Sequence, residues 1–196
     1  TQMYAHFDLE EEDLLLGLKI KLNSYLGKDI LVKNLYKMNK DAHARFDEIE
    51  REYKYFITQE KDVHHQKSKY FFSRKLDFNL IQSATQIIKK NKNFKSFCRT
   101  RTDVANFDCE IFDFRFEVIE HEIIFTIKAN RFLRNMVRSI IGTILDIGLK
   151  KTSLKNLSNI IKKSNRIYAG PSAPAHGLFL TGIKYPENYI AHENKI

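Results

Sequence analysis

Three arginines lie in a strongly apolar segment of the chain, Ala129–Gly148, which reads ANRFLRNMVRSIIGTILDIG. With Asn130 as the N-cap, the helical repeat predicts one broad apolar face and an opposite polar stripe. The stripe holds Arg131, Arg134, Arg138 and Gly142. Such arginines can simply face water. The glycine favours a different interpretation, because it costs the helix about 1 kcal/mol relative to alanine and leaves space for another group beside Arg138. We therefore expect Arg138 to line a basic cleft.

The chain of 196 residues is strongly basic, with a formal net charge of +9 and an isoelectric point near 9.4. This charge suggests a polyanionic partner, and nucleic acid is a better candidate than a membrane surface. A lysine-rich solvated surface would explain the same charge. No apolar run reaches the length of a membrane span and no signal peptide opens the sequence, so we expect a soluble, cytoplasmic protein.

The cysteines and histidines do not suggest a metal site. Cys98 and Cys109 have no metal-type spacing, and we expect them to be buried, reduced thiols. The seven histidines show no ligand spacing apart from His64 and His65, which are adjacent in a lysine-rich loop and should be exposed. Serine, cysteine and histidine residues form no triad pattern.

Hydrophobic periodicity predicts an α+β fold with a mixed, largely antiparallel sheet packed with helices. Helices are predicted at residues 9–25, 79–94, 130–148 and 153–165, the last with Ser153 as its N-cap. Strands are predicted at residues 1–10, 27–38, 50–59, 111–118, 122–129 and 178–186.

The two strands IFDFRFEV and EIIFTIKA should form an antiparallel hairpin, because each alternates apolar and polar residues and only a short break separates them. One side of the first strand should carry Phe112, Phe114, Phe116 and Val118. One side of the second should carry Ile123, Phe125, Ile127 and Ala129.

Four segments resemble, in the same order, motifs of the tRNA pseudouridine synthase A family. The arginine segment resembles its strand-to-helix motif with Phe, Met-Val-Arg and a downstream Gly. AHARFDEIEREYKY (Ala42–Tyr55) resembles its His-Ala-Arg-Phe segment and its Arg-x-Tyr-x-Tyr strand. FKSFCR (Phe94–Arg99) resembles its Phe-x-Ser-Phe turn, and GPSAPAHGLFLTGIKYP (Gly170–Pro186) its Ala-Pro-Ala-x-Gly-Leu-x-Leu ending. These blocks cover most of the chain.

The resemblance implies a pseudouridine-synthase-like fold and an isomerase that converts uridine to pseudouridine in the anticodon stem-loop of tRNA, at positions 38 to 40. It also implies a homodimer, and neither a cofactor nor a metal. The family's nucleophile is an aspartate in a Gly-Arg-Thr-Asp loop. Arg138 matches the arginine that pairs with this aspartate and keeps it ionised. Tyr53 matches the tyrosine that packs on the target base and can act in proton transfer, and an aromatic face suits a flipped-out base.

The chain contains an Arg-Thr-Asp sequence, Arg101 to Asp103, that we do not expect to be catalytic. Thr100 stands where the family has glycine, and Val-Ala-Asn replaces the following Gly-Val-His. The family's loop also precedes the tyrosine strand, whereas Asp103 follows it. MYAHFD, at Met3–Asp8, resembles the strand that follows the family's catalytic loop.

The order of the family's motifs along the chain predicts that the nucleophile lies upstream of Thr1. Residues 1–40 would then be the remnant of an N-terminal half-domain and residues 41–196 the C-terminal half-domain. The chain by itself would be inactive, because positioning groups cannot replace the covalent step.

Several residues are expected to bind RNA: Tyr53, His43, Arg45, Arg131 and Arg134. For His43 and Arg45 a salt bridge in a surface loop is an equal alternative. Two other functions remain open for the whole chain. One is a non-catalytic RNA-binding domain with a basic cleft, and the other is a structural dimerisation module without affinity for RNA.

Overall fold

The structure, a computed structural model, describes residues 3–9, 17–61, 63, 67–102 and 104–190. The chain divides into two compact units. The first, which we call the sheet unit, consists of Thr1–Met3 and Ile49–Ile183; the second, the small unit, consists of Tyr4–Glu48 and Lys184–Ile196. The assignment of residues 1–40 and 41–196 to two half-domains of a larger protein stays a prediction.

A mixed, largely antiparallel sheet forms the centre of the sheet unit, as predicted. The described strands are β1 (Glu50–Thr58), β2 (Tyr70–Phe71), β3 (Ile111–Ile119), β4 (Glu122–Ala129) and β5 (Leu178–Lys184). Their order is β2-β1-β4-β3, and β5 also pairs with β1. β4 is antiparallel to both β1 and β3, whereas β2 is parallel to β1.

The α-helices of the described residues are α1 (Leu18–Tyr25), α2 (Phe78–Lys89), α3 (Met136–Gly148) and α4 (Leu154–Lys163). The side chains of Asp77 and Ser153 cap α2 and α4, accepting from the backbone N–H groups of Leu80 and Asn156. α2 packs on α3 and on β3. The core between helices and sheet contains Tyr55, Ile57, Ile81, Ile88, Phe114, Phe125, Ile140 and Ile144, all buried. The α+β prediction is confirmed, and so is the Ser153 cap.

The predicted hairpin is present, but one of its faces was misassigned. Ile123, Phe125, Ile127 and Ala129 are buried, as the alternation predicts. Phe112 is 41% exposed. A β-bulge explains the difference: Ile111 lies opposite Ala129 and Asp113 lies opposite Lys128, so Phe112 has no cross-strand partner and the alternation shifts by one residue.

The arginine helix begins six residues later than the predicted cap, at Met136. Asn130 is no N-cap; its Oδ1 accepts from the backbone N–H of Glu110 at 2.8 Å. Asn135 precedes the helix with a φ of 67°, a left-handed conformation from which no helix can extend backwards. The predicted stripe is therefore wrong for Arg131 and Arg134, which precede the helix and do not share a face with Arg138.

The small unit overturns two strand predictions. Residues 3–9, the described part of the first predicted strand, are not in a strand, and neither is the segment 27–38. The second segment has only an isolated β-bridge, at Tyr36. At Val32 a side chain takes the place of a partner strand: Asn23 accepts from the backbone N–H of Val32 at 2.7 Å and donates to its carbonyl at 3.0 Å. The predicted helix 9–25 is present from Leu18 onwards, and residues 10–16 lie outside the described part.

Candidate active site

Arg138 occupies the first turn of α3 and is half-buried. Its Nε donates to the carbonyl of Ala173 at 2.7 Å, and the backbone N–H of Ala173 donates to the carbonyl of Arg138 at 2.9 Å. No carboxylate among the described residues forms an ion pair with this guanidinium. Because Nε is engaged, the guanidinium is oriented from one side and its terminal nitrogens remain as donors for an anion.

The close approach expected at Gly142 exists, but the chain's own backbone makes it. A Cβ at this position would lie 1.7 Å from the carbonyl oxygen of Pro171 and 2.9 Å from its carbonyl carbon. The segment Gly170–Pro174, which we call the proline loop, therefore lies directly against α3. Gly142 accommodates this loop and not a ligand, and the loop in turn orients Arg138.

Tyr55 holds the same loop from the sheet. Its side chain is 1% exposed, and its hydroxyl donates to the carbonyl of Pro174 at 2.7 Å. Burial raises the pKa of this hydroxyl far above its usual value, Tyr70 raises it further, and the charge of Arg138 opposes the rise. Tyr55, from strand β1, and Arg138, from helix α3, thus donate hydrogen bonds to two consecutive carbonyls of the proline loop. Sequence reasoning missed Tyr55, although the alternation with Tyr53 was its signal.

Tyr53 lies on the same side of β1 as Tyr55, opposite Ile127 of β4. It is half-buried, and its ring meets that of Phe132 edge to face, with centroids 5.1 Å apart. Phe132 belongs to the connection between β4 and α3. Tyr53 is thus neither fully buried in the core nor fully exposed to solvent. Its stacking on a base stays a prediction.

Arg166 is a second guanidinium on the proline loop that sequence reasoning did not single out. It donates to the carbonyl of Ala169 at 3.2 Å and to the hydroxyl of Ser172 at 3.0 Å. Burial lowers its pKa from the usual value for arginine. Asn135 donates to the same Ser172 hydroxyl at 2.6 Å, which ties the start of α3 to the loop.

The two arginines that precede α3 are bound differently from Arg138. Arg131 is half-buried, and its Nη1 donates to the side chain of Asn106 at 3.3 Å. Arg134 is exposed, and its carbonyl accepts from the backbone N–H of Arg99 at 2.9 Å. The hydrogen bonds that orient the Arg138 guanidinium therefore do not involve Arg131 or Arg134.

His43 and Arg45 belong to the small unit. The Nδ1 of His43 accepts from the backbone N–H groups of Arg45 and Phe46, at 3.1 and 3.3 Å, so this side chain closes its own turn. The ring of Phe46 stacks on His43, and the guanidinium of Arg45 lies 5.6 Å from the Phe46 centroid. Phe46 is 73% exposed, which leaves an aromatic and cationic surface at this turn.

Asp47 completes the turn and stays ionised to lower pH than an ordinary aspartate. The Tyr189 hydroxyl and the backbone N–H of His43 both donate to it, and these hydrogen bonds lower its pKa. The alternative of a salt bridge for His43 or Arg45 remains open.

Other predicted features have mixed outcomes. Cys98 and Cys109 are buried free thiols, as expected. Asp103, His64 and His65 lie outside the described residues. Within the described ranges, no group of three histidine, cysteine or acidic residues could hold a metal ion, and no helix is long and apolar enough to cross a membrane.

Comparisons with known proteins decide the family. The family model for tRNA pseudouridine synthase matches residues 91–186, which contain Arg138, the proline loop and the hairpin. The tRNA pseudouridine synthase A of Azobacteroides pseudotrichonymphae is 42% identical over 188 residues, which cover 96% of this chain and 75% of that protein. This chain belongs to the tRNA pseudouridine synthase A family. The proteins of the same name from Bacteroides fragilis and Parabacteroides distasonis are 41% and 39% identical, with 74% and 77% of their lengths covered.

Membership of the tRNA pseudouridine synthase A family agrees with the resemblance seen in the four motifs. It places the chain among isomerases, and residues 91–183 of the family's matched segment belong to the α+β sheet unit described above. The chain spans about three quarters of the length of these relatives.

Proposed function

We propose that this protein isomerises uridine to pseudouridine in the anticodon stem-loop of tRNA, at positions 38 to 40. The observation that carries the proposal is the oriented guanidinium of Arg138, held by the proline loop within the segment that the family shares. The reaction breaks the bond from C1′ of ribose to N1 of uracil and forms a bond from C1′ to C5. N1 gains a proton and C5 loses one, so no oxidant, reductant or cofactor is needed.

Arg138 would hold the nucleophilic aspartate of a Gly-Arg-Thr-Asp loop. Its terminal nitrogens can donate in parallel to both oxygens of one carboxylate, while Ala173 keeps the guanidinium plane fixed. The positive charge would keep that carboxylate ionised, which an attacking carboxylate requires. The 196 residues contain no Gly-Arg-Thr-Asp sequence, so on this proposal the aspartate belongs to a longer polypeptide.

Tyr53 would pack on the target uracil and assist proton transfer. Its half-buried ring is braced by Phe132 and its hydroxyl is not committed to the proline loop, in contrast to that of Tyr55. A flipped-out base loses its stacking partners, and an aromatic side chain compensates for part of that loss.

His43, Arg45, Arg131 and Arg134 would bind the RNA around the target, and the net charge of +9 supports a polyanionic substrate. On this proposal the protein acts in the cytoplasm, as a homodimer and without a metal or cofactor.

A non-catalytic RNA-binding domain with a basic cleft is the second candidate. One observation favours it: the 196 residues carry Arg138 and Tyr53 but no Gly-Arg-Thr-Asp sequence. Both candidates predict that the protein binds RNA. Only the synthase is expected to convert uridine to pseudouridine.

The decisive experiment measures tritium release from tRNA labelled at C5 of uracil. A polypeptide in which a Gly-Arg-Thr-Asp loop precedes Thr1 should release tritium, and Tyr53→Ala or Arg138→Ala should lower the release severely. Transcripts with uridine replaced at positions 38, 39 or 40 would assign the target. Binding of tRNA without release by the longer polypeptide would favour the non-catalytic candidate.

A further inference from the structure

Two arginine-bearing segments meet beyond the end of β4. The first is the turn Arg99–Thr102, in which Thr102 donates from its hydroxyl to the carbonyl of Arg99 at 2.7 Å. The second is the connection between β4 and α3, residues 130–135. The backbone N–H of Arg99 donates to the carbonyl of Arg134 at 2.9 Å, which joins the two segments. We call Arg99, Arg101, Arg131 and Arg134 the arginine junction.

The guanidinium groups of the junction lie largely at the surface of the protein. Arg99, Arg101 and Arg134 are exposed, and Arg131 is half-buried against the Asn106 side chain. None of the four forms an ion pair with a carboxylate of the described residues. Cations gathered in this way without ion-pair partners repel one another, and a bound polyanion would relieve that repulsion.

The composition of the junction favours a phosphate backbone over an apolar partner. All four cations are arginines, whose planar forks bind phosphate oxygens with two parallel hydrogen bonds. None of the exposed large apolar side chains of the described residues belongs to residues 99–102 or 130–135. A membrane surface or an apolar protein partner would require such side chains.

We propose that the arginine junction is a phosphate-binding surface for the RNA, with Arg99 and Arg101 as part of it, and that it acts separately from Arg138. The inference rests on the proposed function, because it takes tRNA as the polyanion. The two roles are distinguished by what the guanidinium groups contact: that of Arg138 donates to the proline loop, whereas that of Arg131 donates to Asn106 and those of Arg99, Arg101 and Arg134 are exposed. Junction residues should govern affinity, and Arg138 should govern chemistry.

The test is a salt titration of tRNA binding to the 196-residue chain. Arg99→Ala and Arg101→Ala should each weaken binding about tenfold, and each should lower the slope of log affinity against log salt by about 1. The bond between the segments should survive, since Arg99 donates from its backbone. Arg99→Lys keeps the charge and should retain most of the slope.

Arg74→Ala is the matched control. Arg74 is also exposed, and its replacement by alanine removes the same charge. It lies after β2, where its carbonyl accepts from the side chain of Gln59 at the end of β1. Because β1 and β4 are antiparallel, this is the opposite end of the sheet from the junction. The control should bind tRNA with nearly wild-type affinity.

Two results would overturn the junction proposal. One is junction variants with the affinity and salt slope of Arg74→Ala, and the other is no tRNA binding by the wild-type chain, since the junction lies wholly within it. Neither result decides the proposed function, which tritium release by the longer polypeptide tests. In that polypeptide, junction variants should raise KM with kcat unchanged, and Arg138→Ala should lower kcat.

Discussion

Arg138 and Ala173 are joined in both directions: Nε of the arginine donates to the alanine carbonyl at 2.7 Å, and the alanine N–H donates to the arginine carbonyl at 2.9 Å. The first bond orients a side chain and the second fixes the backbone that orients it. A guanidinium held in this way loses little conformational freedom when it binds an anion, which is the form of preorganisation that electrostatic catalysis requires.

Replacing Arg138 with lysine should separate charge from orientation. Lysine keeps the positive charge but has no planar fork, so it cannot bind Ala173 and a carboxylate together in the same geometry. We expect kcat of the longer polypeptide to fall about 100-fold, as measured by tritium release. Arg74→Lys, at an exposed site, should leave kcat unchanged. Wild-type kcat in Arg138→Lys would show that orientation by the loop is unimportant.

Gly142→Ala gives a prediction whose sign distinguishes packing from helix propensity. Propensity alone favours alanine by about 1 kcal/mol. The Cβ would lie 1.7 Å from the Pro171 carbonyl oxygen, so either the loop or the helix must move. We expect a loss of about 1–3 kcal/mol in the free energy of unfolding, measured in urea. Gly27→Ala, with no atom within 4 Å of its Cβ, is the control and should change it by less than about 0.5 kcal/mol. A stabilised Gly142→Ala would contradict the close contact.

The two tyrosines of β1 should respond differently to the same substitution. Tyr55→Phe removes the donor to the Pro174 carbonyl and should lower the free energy of unfolding by about 1–2 kcal/mol. Tyr53→Phe should change it by less than about 0.5 kcal/mol but should reduce tritium release by the longer polypeptide. Urea unfolding and the activity assay on both variants check this pair. Equal losses of stability would remove the distinction between a structural and a functional tyrosine.

Cys109 should make stability sensitive to alkaline pH. Burial raises the pKa of its thiol to about 11, although the nearby Arg131 opposes the rise. Because the folded pKa lies above the unfolded value, the contribution to stability is complete below about pH 9 and is lost as the pH rises towards 11. Urea unfolding of the wild type and of Cys109→Ala across this range should show a steeper decline for the wild type. Parallel declines would argue against a protonated, buried thiol.

The 196-residue chain should not release tritium from labelled tRNA, since its only Arg-Thr-Asp sequence has threonine in place of the family's glycine. Asp103→Ala should therefore leave the activity of the longer polypeptide unchanged. If the 196 residues alone were active, the nucleophile would lie among them, and loss of that activity in Asp103→Ala would identify it.

Local patterns in the sequence predicted the features that depend on residues close together in the chain, such as the alternation of apolar and polar residues in a strand. The alternation at residues 122–129, the Ser153 cap of α4 and the burial of both cysteines all follow from residues that are close together in the chain. The ordered motifs also led to the family, because the spacing of Met-Val-Arg and Tyr-x-Tyr is a property of the sequence itself. Strand prediction at 27–38 was wrong, since alternation requires a partner strand and Asn23 satisfies Val32 instead.

Tertiary structure decided where α3 begins and what holds its first arginine. Asn135 adopts a left-handed conformation and donates to Ser172, 37 residues further along the chain. The helical repeat of residues 130–148 contains no information about that partner. Phe112 is exposed because a bulge forms only when β3 and β4 pair. Arg138 and Tyr55 are brought together because both donate hydrogen bonds to carbonyls of the proline loop. Backbone carbonyls are the same at every residue, so the sequence cannot indicate which of them these side chains will bind. Residue type and spacing determined which groups are available, and contacts between distant backbone atoms determined how they are oriented.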